Sequence, residues 1–217
     1  FFFFFIVSNG QDRLQELLDR YDYNTAISVI DSLAAEIGAD STSIAENREE
    51  VIDLALQKAR CLRRLYRMQE SVEVLAEVLY LDQFNMELMA DLAESHMQAG
   101  NTLEAFNLYG ILTQMQPDNP YFKICQARIL YREKQYEESI AACKAIIVQD
   151  SIPEILSMIA DAYKTLGKAD SAMVYYNYVL DRKPMHVPTL SKKADILLSA
   201  KQYFQVIDMS HEYLNED

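Results

Sequence analysis

Small residues recur along the chain at a nearly constant spacing. Ala59, Ala93, Ala127, Ala160 and Ala194 form one series, and Ser71, Ala105, Ser139, Ala172 and Val206 form a second at a constant offset. The step from the third to the fourth member is one residue shorter in both series, so the two report one period. Larger apolar residues accompany them. Leu62, Leu130, Tyr163, Leu197 and His96 follow the first series by one helical turn; Val78, Leu112, Ile146, Val179 and Tyr213 follow the second by two turns. Such spacings put each set on one stripe of an α-helix. A small residue on each of two helices lets their backbones approach. The pattern therefore predicts a stack of antiparallel helix pairs. Gly 5 and Pro 5 leave little turn material for a β-rich fold, and no window favours strands beyond the first few residues.

Start and stop signals divide the chain. Asp12 to Tyr21 and Tyr23 to Ile37 read as a first helix pair, with Gly38 as its stop and 38–43 as a polar linker. Ser43 with Glu46 has capping-box spacing, which predicts a long helix to about Tyr66. Ser151 with Glu154 repeats that spacing, and Pro153 and Pro188 occupy first-turn positions that tolerate proline. Gly100 and Gly167 mark turns, whereas Gly110 falls inside a helix. The expected organisation is residues 1–10 as the remnant of a signal peptide and 11–50 as an atypical helix pair with a linker. A repeat array follows over 51–217, with units starting near 52, 86, 120, 153 and 187.

At this point the chain resembles the tetratricopeptide repeat family. The unit from Met86 to Asn119 carries Met89, Leu92, Ala93, His96, Gly100, Ala105, Tyr109, Leu112 and Pro117 at the family's signature positions. The unit from Pro153 does the same through Leu156, Ile159, Ala160, Tyr163, Gly167, Ala172, Tyr176, Val179 and Pro184. Units near Ile52, Pro120 and Val187 match more weakly, with Lys58, Gln126 and Lys193 where the family prefers Leu. The resemblance implies an all-α, right-handed superhelical solenoid of about six helix pairs, whose first helices line a concave groove. It also implies a non-enzymatic scaffold for protein–protein interaction. Members that bind chaperone tails use a two-carboxylate clamp of Lys, Asn and Arg. The corresponding positions here are Leu56, Arg60, Asp91, Tyr121 and Cys125, so that clamp is missing.

Charge narrows the partners. A formal net charge of -13 repels nucleic acid phosphates and anionic lipid headgroups. Against that background, arginines at equivalent groove positions are the unexpected feature. One row is Arg64, Gln98, Arg132, Thr165 and Ser199; its neighbour is Arg63, Met97, Tyr131, Lys164 and Leu198. Leu56, Ala90, Ile124, Ser157 and Ser191 would form a partly apolar floor, and Asp53, Glu87, Tyr121, Glu154 and Pro188 an acidic edge. The expected partner-binding residues are Arg60, Arg63, Arg64, Tyr121, Arg128, Tyr131 and Arg132. Arginine grips a carboxylate through two parallel hydrogen bonds, which suits an acidic peptide. The competing reading is a solvated face whose charges pair internally, with Arg60, Glu94 and Arg128 in one row and Arg60, Arg63, Arg64 and Arg67 as a stripe on one helix.

The remaining chemistry is sparse. His96 fills a packing position, and His186 and His211 have no catalytic companions nearby in sequence. No metal-ligand spacing and no Gly-rich phosphate loop occurs, so neither a metal nor a cofactor is expected. Cys61, Cys125 and Cys143 read as small core residues rather than a disulfide framework. The apolar run Phe1 to Val7, followed by Ser8, Asn9 and Gly10, resembles the tail of a secretory signal peptide. It predicts export, most simply to a bacterial periplasm, with the cytoplasm as the alternative. The absence of a polar capping helix near Asp217 predicts a continuing chain or end-to-end self-association. An alternative function is the docking segment of a larger enzyme.

Overall fold

The computed structural model describes residues 2–37, 41–147 and 152–215, and the side chains of 10–37, 44–147 and 152–212. Gly38, Ser151 and the side chains of Ser43 and Tyr213, which figured in the sequence reading, lie outside this description. Thirteen α-helices and one 3-10 turn make up the described residues, with no strand among them. The fold is an all-α, tetratricopeptide-like solenoid of antiparallel helix pairs. The apolar start, the one stretch where a strand was conceivable, is helical as well.

The first compact unit, Phe1–Gln116, contains three pairs. These are α1 (Phe2–Asp19) with α2 (Tyr23–Ile37), α4 (Arg48–Arg64) with α5 (Met68–Val78), and α6 (Met86–Ala99) with α7 (Thr102–Met115). A short helix, α3 (Ser41–Glu46), precedes α4, and a 3-10 turn (Leu79–Leu81) follows α5. The single long helix expected before Tyr66 is thus two, broken at Asn47. The second unit, Pro117–Asp217, holds α8 (Pro120–Arg132) with α9 (Tyr136–Ile147), α10 (Pro153–Thr165) with α11 (Ala169–Leu180), and α12 (Val187–Ser199) with α13 (Tyr203–Asn215).

Both small series sit where the two helices of a pair touch. Ala59, Ala93, Ala127 and Ala160 are fully buried, as are Ser71, Ala105, Ser139 and Ala172. Where the second member is serine, its hydroxyl stitches the pair together. Ser71 Oγ donates to the carbonyl of Ala59 at 3.1 Å, and Ser139 Oγ to that of Ala127 at 2.9 Å. A hydroxyl is thereby satisfied without water, as burial requires. Ala194 and Val206 of the last pair are only half-buried.

Every pair turns in the same way. The residue between its helices has a positive φ: Tyr21, Tyr66, Gly100, Lys134, Gly167 and Lys201. The next amide then donates to a carbonyl five residues back, from Asp22 to Leu17, Arg67 to Leu62, Asn101 to His96, Gln135 to Leu130, Lys168 to Tyr163, and Gln202 to Leu197. This is the Schellman closure, which satisfies carbonyls left open at a helix end. Glycine adopts the conformation freely; Tyr and Lys adopt it at a cost. Helix starts are equally specific. Asn85 and Asn119 cap α6 and α8, accepting from the amides of Leu88 and Tyr121 at 3.0 Å each.

Within each unit, successive pairs bury a continuous apolar seam. In the first, Leu14, Ala26, Ile30 and Leu33 join Leu54, Cys61 and Leu62, while Leu56, Leu75, Leu88 and Leu92 pack further along. In the second, Ile140, Cys143 and Ile146 meet Ile155 and Ile159, and Tyr176 packs on Ala160 and Ala172. All three cysteines are buried thiols of the core. Burial pushes the Cys143 thiol up to about 11.

Candidate functional site

The first-helix face of the first unit is organised by Asp91 on α6. Arg60, on α4, donates from Nη2 and Nε to Asp91 Oδ2 at 2.7 and 3.1 Å, and from Nη2 to Glu87 Oε1 at 2.7 Å. Arg63, one turn along α4, pairs through Nη2 with Asp91 Oδ1 and donates from Nη1 to Ser95 Oγ at 2.8 Å and to the Asp91 carbonyl at 3.3 Å. Ser95 Oγ lies 2.8 Å from buried Ser71 Oγ, so the network reaches the seam between helices. The Arg63 and Asp91 side chains are 12% and 11% exposed. Burial alone would lower the Arg60 guanidinium, but its bonds to Asp91 and Glu87 outweigh that and hold it above its ordinary value.

These contacts correct the sequence reading of this face. Glu94 does not neutralise Arg60; it accepts from Gln98 Nε2 at 2.6 Å and from Tyr109 Oη at 3.2 Å. Arg67 lies beyond α4, at the start of α5, and pairs with Glu70 at 2.5 and 2.7 Å. Leu56, expected in the floor, and Met97, expected in the row beside Arg63, are both buried. Arg64 differs from its neighbours: it is exposed and makes no hydrogen bond or ion pair with the described residues. It opens into a cleft of about 590 Å³ whose other walls are Arg60, Arg63, Tyr66, Met68, Glu94 and Gln98.

The second unit repeats the contact between successive first helices with its charges exchanged. Asp161 on α10 holds the position of Arg60, and Lys192 on α12 that of Asp91. Lys192 Nζ donates to Asp161 Oδ2 at 2.6 Å across the same 31-residue separation that links Arg60 to Asp91. Asp161 Oδ1 also accepts from buried Tyr176 Oη at 2.7 Å. Burial, then this bond to a carboxylate, drives the Tyr176 phenol well above its ordinary range. Lys164 pairs with Asp195 at 2.9 Å.

Of the sequence-nominated residues in this unit, Arg128 and Arg132 are exposed on α8. Arg128 makes no hydrogen bond or ion pair with the described residues. Tyr121, at the start of α8, is 51% exposed and meets Phe122 edge-on at 5.6 Å. Tyr131 is half-buried, packs edge-on against Tyr136 at 5.4 Å and bonds Thr165; burial raises its phenol. It belongs to the wall of the core more than to an open surface. The nominated residues thus fall into three groups. Arg60 and Arg63 are engaged inside the first unit, Tyr131 packs on the core of the second, and Arg64, Arg128, Arg132 and Tyr121 are exposed.

Among the described residues, no cluster of His, Cys, Asp or Glu is arranged to hold a metal, and no helix is long and apolar enough to cross a membrane. His96 Nδ1 lies 3.2 Å from Asn101 Nδ2 beside the Gly100 turn, and burial lowers its pKa.

No protein-family model and no curated protein sequence matches the chain. Solved structures do. A tetratricopeptide repeat protein from Parabacteroides merdae is similar over 97% of this chain and 79% of its own, at 16% identity and a TM-score of 0.76. MamA from Desulfovibrio magneticus is similar over 76% of this chain and 94% of its own, at 11% identity and a TM-score of 0.65. A thermophilic tetratricopeptide protein of Thermus thermophilus covers 88% of this chain and 98% of its own, at 16% identity and a TM-score of 0.57. At such identities the likeness is one of fold.

Proposed function

We propose that this tetratricopeptide-like chain is a non-catalytic scaffold that binds a protein or peptide partner on the first-helix faces of its units. The observation that carries the reading is the contrast among the arginines. On a chain of net charge -13, Arg60 and Arg63 are occupied by carboxylates, whereas Arg64 and Arg128 stand exposed and their side chains form no ion pair with the described residues. Arg64 offers a carboxylate contact in the first unit. Arg128 does so in the second, with Tyr121 as an apolar anchor bearing a polar tip and with Arg132 and Tyr131 along the same helix. Arg60 and Arg63 hold the face in shape. The architecture supports the reading, because stacked helix pairs expose extended faces of the kind repeat proteins use for binding. Periplasmic export is part of the proposal and rests on the apolar run Phe1 to Val7.

The test is photocrosslinking in the native host, with the reactive group placed at Gln98 in one experiment and at Tyr121 in another. The partner should be captured by the parent and lost when Arg64 and Arg128 both become Glu. Each contact made by a free arginine to a carboxylate contributes about 1.5–3 kcal/mol, so the double reversal should abolish capture. An unchanged set of crosslinked proteins would overturn the reading, and the compartment of a captured partner tests export.

A further inference from the structure

The Arg64 cleft lies wholly in the first unit, between the ends of α4 and α6. Its walls carry several charges, and nearly all of them are satisfied. Arg60 and Arg63 are spent on Glu87, Asp91 and Ser95. The Glu94 carboxylate accepts from Gln98 and Tyr109. Arg64 is left as one cation with a full set of donors and nothing to receive them among the described residues. Beside it stand two apolar groups, the half-buried Met68 and Tyr66, a residue 86% exposed. Tyr66 occupies a turn position with φ +59° that Gly100 and Gly167 fill in two other pairs. A bulky residue held there works against stability, as at Tyr21, Lys134 and Lys201, and here it puts an exposed aromatic ring on the cleft wall.

We infer that this cleft binds an extended peptide segment carrying one side-chain carboxylate next to an apolar side chain, with Arg64 gripping the carboxylate and Tyr66 and Met68 covering the apolar group. The inference rests on the scaffold reading above and specifies the ligand of one part of it. The anion is a carboxylate rather than a phosphate because only one cation is free, and Glu94 on the wall repels a second negative charge. The planar guanidinium matches a carboxylate through two parallel bonds. The walls hold apolar and hydrogen-bonding side chains besides Arg64, which suits a side-chain carboxylate with neighbours to cover rather than a bare chain terminus.

The test uses acetylated, C-terminally amidated heptapeptides with a central Glu flanked by Leu, Phe or Ala, each paired with a central-Gln counterpart and a free-acid version. Binding of labelled full-length protein is read by fluorescence anisotropy. The expected result is at least tenfold tighter binding of Glu peptides with a Leu or Phe neighbour than of their Gln counterparts. That preference should vanish in Arg64→Glu. In Tyr66→Gly the advantage of Leu and Phe over Ala should fall by tenfold while the preference for Glu over Gln survives. Circular dichroism establishes that both variants remain folded. Equal binding of Glu and Gln peptides, or a preference unchanged by Arg64→Glu, overturns the inference. A preference only for free-acid peptides overturns it in favour of a chain terminus. A preference lost in Arg128→Glu but kept in Arg64→Glu overturns this site while sustaining the scaffold reading. Absence of binding to every peptide overturns the inference alone if the crosslinked partner is still lost in the double reversal, and both readings if it is not.

Discussion

Replacing Asp91 by Ala should destabilise the first unit far more than removing any one of its arginine partners. The carboxylate accepts from both Arg60 and Arg63, and Arg63 and Asp91 are nearly covered. Without it, the Arg63 guanidinium stays nearly buried with only Ser95 Oγ and the residue-91 carbonyl as acceptors. Breaking a buried pair by removing one partner costs about 3–5 kcal/mol, because the other charge is stranded. The lower end applies here, since those two acceptors remain. Arg60 is 47% exposed, so its share falls in the surface range of about 0–1 kcal/mol. Arg63→Ala leaves Asp91 paired with Arg60 and should cost about 1–2 kcal/mol. A double-mutant cycle on residues 63 and 91 should then give a coupling of about 1.5–3 kcal/mol, and the cycle on 60 and 91 less than about 1 kcal/mol. Urea unfolding followed by circular dichroism supplies the free energies. Hydrogen exchange on peptides from α4 and α6 localises the effect, which should be absent from α10 and α12. Couplings below about 0.5 kcal/mol in both cycles would refute the argument.

Three further outcomes follow from other contacts. Tyr66→Gly should raise stability by about 0.5–1 kcal/mol, because relief of the left-handed backbone exceeds the added entropy of the unfolded chain; a lowered urea midpoint would contradict this. Cys143 has its pKa raised from 9.0 to about 11, so the unfolded chain loses that proton first as pH rises. Its contribution is full below pH 9 and is lost between about 9 and 11, a loss of roughly 1–2 kcal/mol by pH 10 that Cys143→Ala should not show on going from pH 8 to 10. Equal losses in both proteins would exclude it. Exchanging Asp161 and Lys192 charges one at a time (Asp161→Lys or Lys192→Asp) should lower the thermal midpoint, and the double exchange should restore most of it; no recovery would show that Tyr176 Oη, and not Lys192, sets the requirement for a carboxylate at 161.

The period of the small residues made the helix pairs legible, because a close approach of two backbones tolerates little else at Ala59, Ala93, Ala127 and Ala160. The turns were legible at Gly100 and Gly167 and hidden at Tyr21, Tyr66, Lys134 and Lys201, where the same φ is imposed on residues that do not advertise it. The face was legible as rows but not as contacts. Aligning equivalent positions placed Arg60 level with Glu94, whereas adjacent first helices are staggered and bring Arg60 to Asp91, a residue three positions nearer the start of α6. A stagger between helices leaves no mark in the sequence of either one. The signal that was present is the spacing itself: Arg60 to Asp91, Asp161 to Lys192 and Lys164 to Asp195 are opposite charges separated by the same 31 residues.

The exchanged polarity of that contact also bears on how the chain avoids misassembly. Repeats with similar helices are prone to docking on the wrong neighbour during folding, since any seam accepts any other. Here the helix bearing Asp161 needs a cation on the helix that follows it, and the helix bearing Arg60 needs an anion. Were α6, with Asp91, to dock behind α10, two carboxylates would meet where the correct order joins opposite charges. Were α12, with Lys192, to dock behind α4, two cations would meet. The two contacts share a position but not a sign, so within each unit charge, as well as covalent connection, separates the right neighbour from that wrong one.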